Sequence, residues 1–237
     1  MRRNKKMLAV TAVLAVGILA GCGASDSGST ASSVASSVPA SSAAASSAAE
    51  QTGAVQPIEQ GTLEDMKTEN YKFAADITAI KDGQVSMDVY SYDAYEKDAI
   101  DKLQVGDTIS THLDGADEAQ DVTIESIEKD DEHGAVTING GIEEGGVELW
   151  LDHGVYRTVT MDDYPVYYKV GELNLPLADD ATMEDSSADP QASAVESDGA
   201  AAVEEAFNAD PDYWICNNTT VFTDGGKVSN IVRVWVP

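Results

Sequence analysis

The side chains of this 237-residue sequence that are able to do chemistry are two cysteines, three histidines and 42 carboxylates. His112, His133 and His153 lie in separate segments, and no pair has the i, i+2 or i, i+4 spacing that sets two imidazoles on one face. A zinc or copper site is therefore not indicated, and solvated loop histidines account for all three. Cys216 follows Trp214 and Ile215 in an apolar run and reads as a buried, inert thiol. The pairs Asp130-Asp131, Glu143-Glu144 and Asp162-Asp163 invite a glycosidase reading, which requires one acid raised by burial. All three pairs sit among turn residues, and so acidic a chain produces adjacent acids by chance. Calcium is the better metal: Asp114, Asp117, Glu118 and Asp121 crowd one segment, and Asn208, Asp210 and Asp212 alternate as oxygen ligands do. Neither cluster matches an EF-hand, because the second contains Pro211 and lacks the glycine of the sixth position. Trp150, Tyr156, Tyr164, Tyr167, Tyr168, Trp214 and Trp235 are candidates for a sugar-stacking platform, although a β-core needs most of that aromatic area for packing. His-Glu-x-x-His, Gly-x-Ser-x-Gly, Cys-x-x-Cys and phosphate-cradling glycine loops are all missing, so a binding role is expected over catalysis, with no cofactor required.

Ahead of these residues stands an export signal. Met1 to Lys6 is basic, and Met7 to Ala20 is an uncharged apolar run too short to span a bilayer as a helix. It ends in Leu19-Ala20-Gly21-Cys22, which resembles the lipobox of bacterial lipoproteins: an apolar residue, two small ones, then the cysteine that is acylated. The resemblance implies that residues 1–21 are removed, that the thiol of Cys22 receives diacylglycerol, and that the protein is held on the extracytoplasmic face of a membrane. Two acyl chains suffice for stable anchoring where one is marginal.

Loss of Arg2, Arg3, Lys5 and Lys6 with the signal leaves ten basic residues against 42 acidic ones, a net charge near −32. Such a surface repels phosphate and anionic headgroups, which excludes nucleic acid as a partner and leaves envelope proteins or glycans. After Cys22 the chain is almost entirely Ser, Ala, Gly and Val as far as Pro57, too poor in large apolar residues to offset its ordering entropy. Residues 22–60 are expected to be a disordered tether, roughly 120 Å long if extended and about 30 to 35 Å end to end as a coil. Its length resembles the tethers of Gram-positive lipoproteins, while an outer-membrane location stays open.

From about Thr62 apolar residues recur at period two between Asp-Gly and Gly-Gly steps, which is β-sheet patterning. Tyr71, Phe73, Ala75, Ile77 and Ala79 mark one face of a first strand, and Asp82-Gly83 turns it into a second carrying Val85, Met87 and Val89. Tyr95, Ala99, Ile100 and Leu103 fit one side of a short helix. Strands are expected through Ile109 and Leu113, then over Val122 to Ile127, Ala135 to Ile138, Val147 to Leu151, Val155 to Met161 and Val166 to Leu177. Thr219 to Thr223 and Lys227 to Val236 form a closing hairpin. No basic residue occurs between Lys169 and Lys227, so 178–199 is expected to be an acidic mobile insertion, followed by a helix with Asp198 as N-cap and Val203, Ala206 and Phe207 docked.

The fold class expected for residues 61–237 is thus mainly β, a compact antiparallel barrel or sandwich with one or two short helices. The segment VYSYDAYEKDAIDKLQVGDTI resembles small OB-like or SH3-like barrels in exported bacterial proteins, a likeness of architecture that carries no activity. The function expected is a tethered, non-catalytic β-domain that binds or presents something at the cell envelope. The alternatives are an envelope hydrolase acting through acidic residues and an accessory subunit of a transport or wall-synthesis complex.

Overall fold

The computed structural model describes residues 53–236 other than 190 and 192. Cys22, the signal segment and most of the tether lie outside the described residues. The last part of the expected tether does not: Val55 forms a parallel bridge to Ile109, and the Ile58 N–H donates to the Ala94 carbonyl at 2.7 Å. Residues 55 to 60 of the expected tether are therefore part of the fold. Helix α1 (Leu63–Met66) follows, closed by a reciprocal capping box between Thr62 and Asp65, and inserts Met66 into the core.

Strands β1 (Lys72–Lys81) and β2 (Gln84–Tyr92) form the hairpin that the alternation predicts. Asp82 and Gly83 both have positive φ, the type I′ turn that Asp-Gly favours. A register shift between Ile77 and Ala79 puts Ile80, not Ala79, into the core.

Everything from Asp93 to Val166 is an insert between β2 and the next strand of that sheet. It comprises β3 (Ala94–Glu96), α2 (Lys97–Lys102), β4 (Thr108–Thr111), β5 (Gln120–Thr123), β6 (Ile127–Asp130), β7 (Ala135–Ile138), β8 (Val147–Asp152) and β9 (Val155–Thr158). Tyr95 belongs to β3, not to the helix, and the single strand expected over Val122 to Ile127 is two, broken where Ile124 turns inward. The insert has its own core around Tyr95, Ile100, Ile109, Ile138 and Leu149.

The chain then returns through β10 (Tyr167–Asp185), β11 (Val195–Asp198), α3 (Ala200–Ala209), β12 (Thr219–Asp224) and β13 (Lys227–Arg233). The first half of β10 runs antiparallel to β2 as far as Pro176 opposite Gln84, and its second half runs parallel to β13. Proline has no N–H to donate, which suits the place where β10 leaves β2. With β13–β12 and β12–β1 pairing, the sheet closes into a five-stranded ring. Counted in ring strands alone the order is 1-2-3-5-4-1, with the third and fifth parallel and a helix between the third and fourth. That is OB-like barrel connectivity, here carrying a large insert between its second and third strands.

The segment expected to be mobile, 178–199, is instead mostly the β10–β11 hairpin, with Thr182–Asp185 paired to Val195–Asp198. Ala181 and Met183 alternate into the core between the acids, and the parallel ladder to β13 outweighs the charge repulsion. Helix α3 docks Val203 and Phe207 as expected, but its N-cap is Gly199 and Asp198 belongs to β11. Gly226, at φ +75°, closes the β12–β13 turn against α1, where an added Cβ would meet the Lys67 carbonyl oxygen at 1.8 Å.

Candidate functional site

The ring's alternation sends Ala75, Ile77, Val85, Met87, Val89, Leu173 and Leu175 inward. Their neighbours on β1, β2 and the first half of β10 must then face out, and these include Asp76, Thr78, Ser86, Asp88, Tyr90, Tyr92, Glu172 and Asn174. A groove of about 320 Å³ opens on this face, its polar lining supplied by Thr78, Ser86, Asp88, Glu172 and Asn174. Glu172 sits directly opposite Asp88 across the strand pair. Like charges so placed repel. Lys169 answers this: its Nζ lies 2.9 Å from Asp88 and 3.2 Å from Glu172, and the hydrogen bonds it donates to the two carboxylates raise its pKa.

Beside the groove the Tyr90 hydroxyl donates to Asp76 at 3.1 Å, while the other Asp76 oxygen accepts the Cys216 N–H at 2.6 Å. Tyr92 and Tyr167 meet edge to face at 5.8 Å. Burial, reinforced by Asp76, pushes the Tyr90 hydroxyl and the Cys216 thiol each up to about 12, and burial pushes Tyr167 to about 12. All three hold their protons at neutral pH. What the face offers is hydroxyl, amide and carboxylate hydrogen bonding beside aromatic edges.

A second polar cluster joins ring and insert. Asp93, fully buried, accepts the His112 backbone N–H at 2.6 Å and faces its Nδ1 at 3.0 Å, with the Thr111 hydroxyl at 3.3 Å. The imidazole stacks on Tyr168 at 3.6 Å and 14°. The Asp93 carboxylate on Nδ1 fixes the orientation of the ring and leaves Nε2 on its far side. That is how a general base is oriented, but among the described residues no hydroxyl or thiol bonds to Nε2. The pair fastens the start of the insert to its own β4. A cavity of about 30 Å³ beside His112 is lined by Asp114, Glu148 and Thr158 among others, and the buried Thr158 hydroxyl has no partner among the described residues. It is large enough for one or two water molecules.

The other sequence candidates are dispersed. His133 pairs with Asp130 within its own turn and holds that carboxyl below the usual range, and His153 pairs with its neighbour Asp152. Among the described residues no three His, Cys, Asp or Glu side chains converge to hold a metal ion, so Asp114, Asp117 and Asp121 do not form a cage, nor do Asp210 and Asp212. Cys216 is half-buried, not buried. Of the aromatic candidates, Tyr156 and Trp214 are core residues, Tyr167 and Tyr168 are held by Tyr92 and His112, and Trp150 and Trp235 are exposed but separately placed on β8 and beyond β13. Asp88, Lys169, Glu172, Asn174 and Asp93 escape sequence reading. Their one signal is polarity at alternate positions of strands whose register is not visible in one sequence.

No family model matches the chain, and neither a curated protein nor a solved structure matches it.

Proposed function

We propose that this chain is a lipid-anchored extracytoplasmic protein whose barrel face over β1, β2 and β10 binds an uncharged polyhydroxylated ligand, an envelope glycan. The observation that carries the binding reading is the groove itself. Hydroxyls of Thr78 and Ser86, the Asn174 amide and the Asp88 and Glu172 carboxylates line one concavity, next to a tyrosine-edged strip. Carboxylates and amides accept and donate to sugar hydroxyls in pairs, and aromatic edges and faces take their C–H surfaces. OB barrels use the corresponding strands and flanking loops for oligosaccharides and oligonucleotides, an analogy of fold alone. The charge of the exported part decides between the two, because it repels phosphate polymers.

The anchor rests on Leu19-Ala20-Gly21-Cys22 behind its apolar run, and the Ser/Ala-rich tether sets the barrel at a distance from the headgroups. Asp88 and Glu172, the carboxylates that do face each other, share the Lys169 ammonium, an arrangement that lends the hydrolase alternative no specific support. Calorimetry of the full-length chain in neutral detergent with soluble, uncharged wall-glycan fragments tests the binding. Saturable heat that falls at least tenfold in affinity with Asn174→Ala is expected, and the absence of any binding ends the proposal. Mass spectrometry of the native N-terminus tests the anchor, with diacylglycerol on Cys22 expected and an unmodified residue contradicting it.

A further inference from the structure

We infer that the loop from Asp210 to Asn218, together with the run after β13, is a docking surface for a basic protein segment, separate in its chemistry from the glycan groove. Tyr213 is the key residue. Its φ is +68°, a region that bulky L-residues rarely adopt, yet its side chain is 73% exposed. An uncomfortable backbone persists only where its surroundings over-determine it. Here they do: the Tyr213 carbonyl accepts from Asn218 Nδ2 at 2.7 Å and from the Arg233 guanidinium at 3.2 Å. Arg233 is itself buried, paired to Asp185 at 2.8 Å and laid over the Trp214 ring at 4.3 Å, while Trp214 Nε1 donates to the Asp210 carbonyl. The hydrogen bonds among these anchors fall on the backbone carbonyls of Tyr213 and Asp210. None uses the phenol they present.

Ile215, Val234 and Trp235, each at least 40% exposed, hang on the same anchors. The Ile215 N–H donates to Asn218 Oδ1, the Val234 N–H donates to the Asn218 carbonyl, and Trp235 follows directly. An exposed Tyr and Trp with aliphatic neighbours, on backbone tied to one asparagine, match the composition of a protein-binding hot spot, and the hydrogen bonds that hold this backbone lower the ordering cost of association. Charge names the occupant. Asp210 and Asp212 stand just ahead of Tyr213, and the Arg233 guanidinium that holds this loop is already neutralised by Asp185. A second copy would set acidic rim against acidic rim, and an anionic lipid surface is repelled in the same way. A protein segment with Lys or Arg around an apolar knob fits both the centre and the rim.

The probe is a randomised dodecapeptide library displayed on phage and panned against the full-length chain in neutral detergent. Enrichment of peptides with basic residues around Leu, Phe or Trp is expected. Their binding should weaken at least tenfold with Tyr213→Ala and with Trp235→Ala, and stay unchanged with Trp150→Ala, which removes an exposed tryptophan of β8. Tyr213→Gly, which relieves the backbone, should melt no lower than the parent chain and still lose the peptide, so that misfolding is distinguished from loss of contact. Enriched peptides that are acidic, no enrichment, or binding indifferent to Tyr213→Ala each overturn the proposal. So does a dimer in sedimentation that Tyr213→Ala dissolves, which would make a second copy the occupant.

Discussion

Replacing Arg233 by Met tests whether the loop before β12 is held as described. The guanidinium is 4% exposed and makes three contacts: Asp185 at 2.8 Å, the Tyr213 carbonyl at 3.2 Å, and the Trp214 ring at 4.3 Å. Breaking a buried pair by removing one partner costs about 3–5 kcal/mol. Asp185 is partly exposed and keeps the Ser187 N–H and hydroxyl, which places this pair at the low end, about 3 kcal/mol. Loss of the cation–π contact adds about 1 kcal/mol. Relief of the buried Arg233 Nε, which has no partner among the described residues, returns about as much. Methionine fills the space, so little cavity cost is added. The net is about 3 kcal/mol, a fall in Tm of roughly 6–12 °C for a domain of this size. Urea unfolding of the full-length chain should show a lower midpoint at unchanged slope. Asp185→Asn added to Arg233→Met should cost less than the two single changes summed. A loss below about 1 kcal/mol, well under the buried-pair range, would refute the reasoning.

Three further outcomes follow from the same contacts. In a Cys22→Ser chain, Cys216 should react with a disulfide reagent at pH 8 about 30- to 60-fold more slowly than a peptide thiol: about a thousandfold less thiolate, offset by its greater nucleophilicity. Because the folded-state values of Cys216, Tyr90 and Tyr167 are raised to about 12 from ordinary values of 9.0 and 10.0, the unfolded chain loses these protons first. Stability present below pH 9 should therefore fall between about pH 9 and 12, and Cys216→Ser should flatten the lower part of that fall. Asp93→Ala leaves three donors of Thr111 and His112 without their acceptor and should lower stability by about 3 kcal/mol in urea titration, with a cost under 1 kcal/mol arguing against the buried latch.

The parts of the fold legible in the sequence are those that local pattern controls. The β1–β2 and β12–β13 hairpins announce themselves through strict alternation and Asp-Gly turns, because period two and positive-φ turns are properties of a few adjacent residues. Ile80 was not legible in its inward place, since a bulge at Thr78 depends on the partner strand. The second half of β10 hides its period: only Ala181 and Met183 point inward among Asp179, Asp180, Glu184 and Asp185, and the ladder that holds it is formed with β13, far along the chain. The groove was invisible for the same reason. Asp88 and Glu172 are ordinary polar residues on their own strands, and only the β2–β10 register makes them neighbours over one concavity. The calcium clusters show the converse, since closeness in sequence did not bring their carboxylates to one point.

The glycan groove is the central claim, and nuclear magnetic resonance mapping of the full-length chain with soluble, uncharged wall-glycan fragments tests it most directly. Saturable shifts confined to Thr78, Ser86, Asp88, Glu172 and Asn174 and their neighbours on β1, β2 and β10 are expected, lost in Asp88→Ala and Asn174→Ala chains that melt like the parent. Shifts centred on the insert or on the loop around Tyr213, or no saturable shift at all, would contradict it.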